Sequence, residues 1–158
     1  MAGSRRKPRP SMDAAAVEAQ ACPEPDDTVD YQVLAQFRFE LRKFQAFSTV
    51  AALQAGLTPQ QHQALLTIRG FPGLDPLSIG DLADFLLIQH HTAVGLVDRM
   101  AKLDLIGRSI DETDGRRVLL KLTREGERRL RKLSRIHQDE LAAIGPALAR
   151  IVETFRRR

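Results

Sequence analysis

The chain has one cysteine, Cys22, and no tryptophan. A single thiol excludes an intramolecular disulfide framework and fits a reducing compartment. Aromatic residues make up only 5% of the sequence, so a helical protein rich in Leu and Ala fits better than an aromatic-rich sandwich. No apolar run approaches the roughly 18 residues of a membrane span. The basic start, Arg5 to Arg9, is not followed by an apolar segment, so no secretory leader and no membrane partner are expected. The protein is read as cytoplasmic. No nucleophile–base pair, phosphate-binding glycine loop or paired carboxylates stand out, so neither an enzyme nor a cofactor is expected.

What is present is a chain of 158 residues, enough for one compact domain plus a flexible end. The 24 Lys and Arg exceed the 20 Asp and Glu, giving a net charge of +4 and a pI near 9.7. A basic balance favours nucleic acid or an anionic surface as partner. Residues 1–29 are predicted to form a disordered tail. Arg5, Arg6, Lys7 and Arg9 are interrupted by Pro8 and Pro10, and an acidic stretch with Glu24, Asp26 and Asp27 follows. Such composition buries too little apolar surface to offset the entropy of ordering. Cys22 lies among those acidic residues, which raise a thiol's pKa and argue against redox sensing.

Residues 30–158 are predicted to be one mainly α domain with a small β-hairpin. A first helix runs from about Asp30 to Leu53, with Leu34, Phe37, Leu41, Phe44, Ser48 and Ala51 at spacings of three and four. Phe39, Phe47 and Val50 add a second apolar strip, suited to a partner subunit. Thr58-Pro59-Gln60-Gln61 is a capped start for a second helix, which is expected to end at Gly70 before a turn at Phe71-Pro72-Gly73. Ser78 opens a short helix with Asp81 three residues on and an apolar face of Ile79, Leu82, Ala83 and Leu86. After a turn near Leu87 to Gln89, a fourth helix spans about His90 to Leu103. Strands are expected at Ile106–Ile110 and Val118–Leu122. Thr123 then caps a long helix to about Ile144, which Gly145-Pro146 should break before a last helix with Leu148, Ile151, Val152 and Phe155.

In the fourth helix Ala93, Leu96, Val97, Met100 and Leu103 share one face. Steps of 100° put His91, Gly95, Asp98 and Lys102 opposite, flanked by Thr92 and Arg99. A polar strip near a helix N-terminus is what a major groove requires. Two short helices followed by a hairpin tipped with Arg116 and Arg117 make a winged helix-turn-helix. A wing arginine can enter a minor groove and sense its width, and Asp114 is placed to orient the Arg116 guanidinium. The expected DNA-contacting residues are Ser78, Gln89, His90, His91, Thr92, Gly95, Arg99, Asp114, Arg116 and Arg117. His90 and His91 point about 100° apart, so they do not chelate a metal as an i, i+4 pair would. His62 and His137 read as lone packing histidines on helices.

The segment Asp114-Gly115-Arg116-Arg117-Val118-Leu119-Leu120-Lys121-Leu122-Thr123-Arg124-Glu125-Gly126 resembles the wing signature of the MarR (multiple-antibiotic-resistance regulator) family: Asp-x-Arg, an apolar strand, then Leu-Thr-x-x-Gly. Leu82-Ala83 resembles that family's first helix-turn-helix element. Val97-Asp98-Arg99-Met100, with Leu105-Ile106 and Arg108, resembles its recognition helix and the entry to the wing. The likeness spans about Tyr31 to Phe155. It implies a homodimer joined through helices at 30–54 and 124–158, with a winged helix-turn-helix at 58–122. It further implies a transcription regulator, a repressor above all, gripping a pseudo-palindromic site on double-stranded DNA and released by a small-molecule effector. An effector pocket is expected between the first, second and fifth helices. Two departures stand out: Gly95, where many members carry a polar or basic side chain, and Lys102-Leu103-Asp104, which lacks the usual glycine before the wing. The sparse basic charge of the fourth helix leaves a second reading, a winged-helix module that binds protein instead of DNA.

Overall fold

The computed structural model describes residues 30–71 and 76–156. The expected tail with its basic arm and Cys22, and the turn at Pro72-Gly73, lie outside the described residues. Among the described residues there are five helices and a three-stranded antiparallel sheet. Their order is α1 (Tyr31–Gln54), α2 (Pro59–Gly70), β1 (Leu77–Ser78), α3 (Ile79–Leu86), α4 (His90–Lys102), β2 (Ile106–Ile110), β3 (Val118–Leu122) and α5 (Arg124–Arg156). The sheet has α2, α3, α4 and α5 packed against it. No described helix is long and apolar enough to cross a membrane.

Local chemistry sets most boundaries. Thr58 and Gln61 form a reciprocal capping box at the start of α2, with Pro59 in its first turn. Ser78 and Asp81 do the same for α3. α2 ends at Gly70, and Phe71 is its C-cap. α4 ends at Lys102. Leu103, counted with its apolar face, is half exposed, and Leu105 takes the core position instead.

Two features differ from the sequence pattern. The sheet has a third strand: β1 pairs with β3 through Leu77↔Leu120 and Ser78↔Leu119, giving the order β1-β3-β2. Two residues are too few to show a period of two, so no pattern marks β1. The second difference is that α5 does not break at Gly145-Pro146; it continues for 33 residues with Pro146 inside it. A proline there removes one backbone hydrogen bond. Ile144 and Ile151 are buried on either side of it, and their burial outweighs the local penalty.

The core is formed by α2, α3, α4, the sheet and the first half of α5. Leu57, Leu65, Leu77, Leu82, Leu96, Val97, Met100, Leu105, Leu120 and Leu133 are fully enclosed. This core holds α4 by its apolar face and leaves its polar face free.

Candidate nucleic-acid interface

α4 is anchored through Ala93, Leu96, Val97 and Met100, all buried. Its N-terminal end is the reverse. Gln89, the N-cap, makes no side-chain cap hydrogen bond, and Gln89, His90, His91 and Arg99 are exposed. Thr92 and Gly95 are half-buried. A Cβ on Gly95 would come within 3.4 Å of Arg99 Nη1. The Arg99 guanidinium therefore reaches back one turn toward the helix N-terminus, across the place where Gly95 has no side chain. Asp98, on the same polar strip, is taken up by an ion pair with Arg108 of β2. Ser78 does not join this set: it is buried, and its hydroxyl donates to Asp81 Oδ2 at 2.6 Å.

The wing between β2 and β3 closes over Asp111 to Arg117. Asp111 Oδ1 accepts from the Thr113 N–H at 2.9 Å and its hydroxyl at 2.7 Å, and those bonds hold the Asp111 carboxyl below the usual range. Asp114 acts differently from expectation. Its carboxylate accepts the backbone N–H of Arg116 at 3.0 Å, fixing the turn rather than the guanidinium. A carboxylate two residues before an N–H makes this local ring more readily than a long-range contact.

The two wing arginines part company. Arg117 Nη2 lies 3.4 Å from Asp81 on α3, and Nη1 lies 3.6 Å from Asp111. It ties the wing to the helix-turn-helix. The Ser78 hydrogen bonds first, and Arg117 after them, keep the Asp81 carboxyl below its ordinary value. Arg116 is exposed, and its guanidinium has no partner among the described residues. The capping role of Asp81 is legible in Ser-x-x-Asp. Its bond to Arg117, 36 residues away, is tertiary and leaves no sequence signal.

The Leu-Thr-x-x-Gly run has a packing reason. The Thr123 hydroxyl donates to the Asp104 carbonyl and accepts the Gly126 N–H at 3.1 Å. A Cβ on Gly126 would sit 2.0 Å from the Leu105 carbonyl oxygen. Only glycine lets α5 start this close to the end of α4. Asp104 fills the slot where glycine is usual before the wing, with φ of +53°. A short polar side chain tolerates that conformation better than most.

His62 and His137, remote in sequence, meet at the junction of α1, α2 and α5 with ring centroids 4.5 Å apart. His137 donates through Nδ1 to the Leu133 carbonyl and accepts at Nε2 from the Ser48 hydroxyl, both at 2.8 Å. Phe44 and Phe47 pack edge-on against it. His62 Nδ1 is buried without a partner. Burial, and then the nearby His137, push the His62 pKa down to about 4. Aromatic rings thus line the junction expected to hold an effector. A cavity of about 730 Å³ lies elsewhere, along the first turns of α5, lined by Leu122, Ile136, Arg124, Arg128, Arg131, Lys132 and Arg135 among others. Glu125 takes Arg128 and Arg129, which hold its carboxyl down at about 2. Arg124, Arg131, Lys132 and Arg135 have no ion-pair partner among the described residues. No cluster of three or more His, Cys, Asp or Glu suited to a metal occurs among the described residues.

The model of the MarR family matches residues 55–117, which run from the end of α1 to the wing. No curated protein matches the sequence. Among solved structures, MepR, a transcription regulator of the Staphylococcus aureus multidrug efflux pump MepA, is 22% identical. It aligns over 76% of this chain and 85% of its own, with a TM-score of 0.64. The S. aureus MepR–DNA complex aligns over the same shares at 22% identity, with a TM-score of 0.61. The MarR repressor of Listeria monocytogenes is 21% identical over 80% of this chain and 95% of its own, with a TM-score of 0.60. Five helices and a wing on a small antiparallel sheet among the described residues give this chain the winged-helix fold of those solved structures, and its residues 55–117 match the MarR family model.

Proposed function

We propose that this protein is a homodimeric transcription regulator that binds double-stranded DNA, with α4 in the major groove and the wing in the adjoining minor groove. One observation carries the reading. Gln89, His90, His91 and Arg99 stand exposed on a helix whose opposite face is buried, beside an unpartnered Arg116 on a wing anchored by Arg117. Histidine, glutamine and arginine present the donors and acceptors that base edges complement, and an arginine suits the negative potential of a narrow minor groove. That a MepR–DNA complex shares the fold supports the same reading.

The dimer follows from α1. Of its 24 residues only Ala51 and Ala52 are buried, whereas Tyr31, Leu34, Phe39, Leu41, Val50 and Leu53 are exposed. A second copy covers such a face and sets two winged units on a pseudo-palindromic operator. The regulator acts as a repressor. Its effector is a small organic anion taken up by the basic cleft of α5, where four cations without an ion-pair partner among the described residues flank Leu122 and Ile136.

A mobility-shift titration with the DNA upstream of its own gene, against a random duplex of equal length, tests the reading. The expected result is a tighter shift of the upstream DNA, steeply weakened by salt and relieved by an organic anion. Binding to neither duplex at low salt overturns it.

A further inference from the structure

Leu87 lies in the turn between α3 and α4 with φ +53° and ψ +43°. It is 92% exposed, more than any other large apolar residue described. Both features are unfavourable. The left-handed conformation at a helix C-terminus is ordinarily filled by glycine or asparagine, because a Cβ there is strained. An exposed leucine gains nothing from burial.

The turn does not need this side chain. The Leu87 backbone N–H caps α3 on the Ala83 and Asp84 carbonyls, a task of the backbone alone. The following residue, Ile88, bonds Ala83 O at 3.0 Å and packs against the core, supplying the apolar contact such caps use. Asp104 is the other non-glycine residue described with positive φ, and it is short and polar. Leu87 is neither. The exposed apolar residues of α1 and α5 belong to the faces assigned to the second subunit. Leu87 instead sits two residues before Gln89, at the end of α4 that carries His90 and His91.

We infer that Leu87 is a base-contacting, specificity-determining residue: its side chain meets the 5-methyl group of a thymine at the major-groove edge beside the start of α4. The inference rests on the DNA-binding reading above. The thymine methyl is the apolar feature of the major groove, and an apolar side chain is its complement. Gln89, His90 and His91 supply hydrogen-bonding groups and cannot read it.

The full chain and Leu87→Gly are each used to select duplexes from a random library. The wild-type sites are then remade with deoxyuridine for thymine, which removes only the methyl groups. Leu87→Gly relieves the left-handed strain, so its melting temperature should rise by about 2–4 °C. Its affinity for the wild-type site should nevertheless fall roughly tenfold, the order of one lost base contact. Deoxyuridine should weaken wild type and leave Leu87→Gly unchanged, as two changes to one contact must. Leu87→Met, which keeps an apolar side chain, should retain most of the affinity. Equal binding by wild type and Leu87→Gly overturns the inference while leaving the DNA-binding reading intact. So does a loss in Leu87→Gly that deoxyuridine does not share. A wild-type protein that selects no sequence overturns the reading and the inference with it.

Discussion

Between Leu57 and Leu122 the apolar faces of α2, α3 and α4 close on the sheet around Leu65, Leu82, Leu96 and Met100. In α1, by contrast, 24 residues bury two alanines, and Phe39, Val50 and Leu53 face outward. α5 stands between these extremes. Its first half joins the core through Leu130 and Leu133, while Leu141, Val152 and Phe155 beyond are exposed. The winged unit therefore carries its own core, and the long helices flanking it leave apolar faces open. The proposed DNA-reading helix thus rests on a closed core, and the proposed subunit surface is open apolar surface.

The comparison breaks first if α1 is not a subunit surface. Phe39→Asp places a charge on that face and should weaken dimerisation by roughly a thousandfold or more, the range of a central interface residue. Sedimentation across micromolar concentrations reads this directly; a dimer as tight as wild type would refute the assignment.

Next in size is the point where α5 leaves the winged unit. Gly126→Ala puts a methyl against the Leu105 carbonyl, a backbone atom that cannot rotate away. It should lower unfolding free energy by about 3 kcal/mol, the upper end for overpacking. Urea denaturation measures it, and an unchanged midpoint would show that α5 can shift without loss.

The histidine seam sharpens the same boundary. An unfolded histidine takes its proton near pH 6.5, whereas buried His62 does so only near 4. Between these values acid favours the unfolded chain. Stability should be full above about pH 6.5 and decline as pH falls toward 4. At about 1.36 kcal/mol per pKa unit the loss reaches up to about 3 kcal/mol. His62→Leu should flatten that window in melts at pH 7.5 and 4.5; an equally steep decline would place the proton elsewhere.

The smallest effects lie within the winged unit. Arg116→Ala should leave the melting temperature unchanged and cost about 1–3 kcal/mol of DNA binding per wing. Arg117→Ala should lower binding less directly, by freeing the wing from Asp81 and Asp111. Titrations of one operator at fixed salt separate them. Equal losses, or a destabilised Arg116→Ala, would mean the two arginines share one role.

Much of the fold was legible because its signals are local. Capping boxes at Thr58 and Ser78, apolar spacing in α4 and the polar loop between two β-prone runs each act within a few residues. The candidate contact residues on α4 were legible for the same reason. Gly145-Pro146 misled because a local breaking signal was outweighed by burial of Ile144 and Ile151. Asp114 misled because its nearest donor is a backbone N–H, which it meets before any side chain.

By itself the sequence determined the order of helices, the wing, and the exposed character of His90, His91 and Arg116. These follow from periodicity, capping and charge, which depend on near neighbours. Only the tertiary structure decided that Arg117 holds the wing while Arg116 stays free. It alone brought His62 against His137 and added Leu77–Ser78 to the sheet. It also left Leu87 strained and bare. Each of these depends on groups far apart in the chain, or on a backbone angle imposed by packing, and no local pattern encodes that.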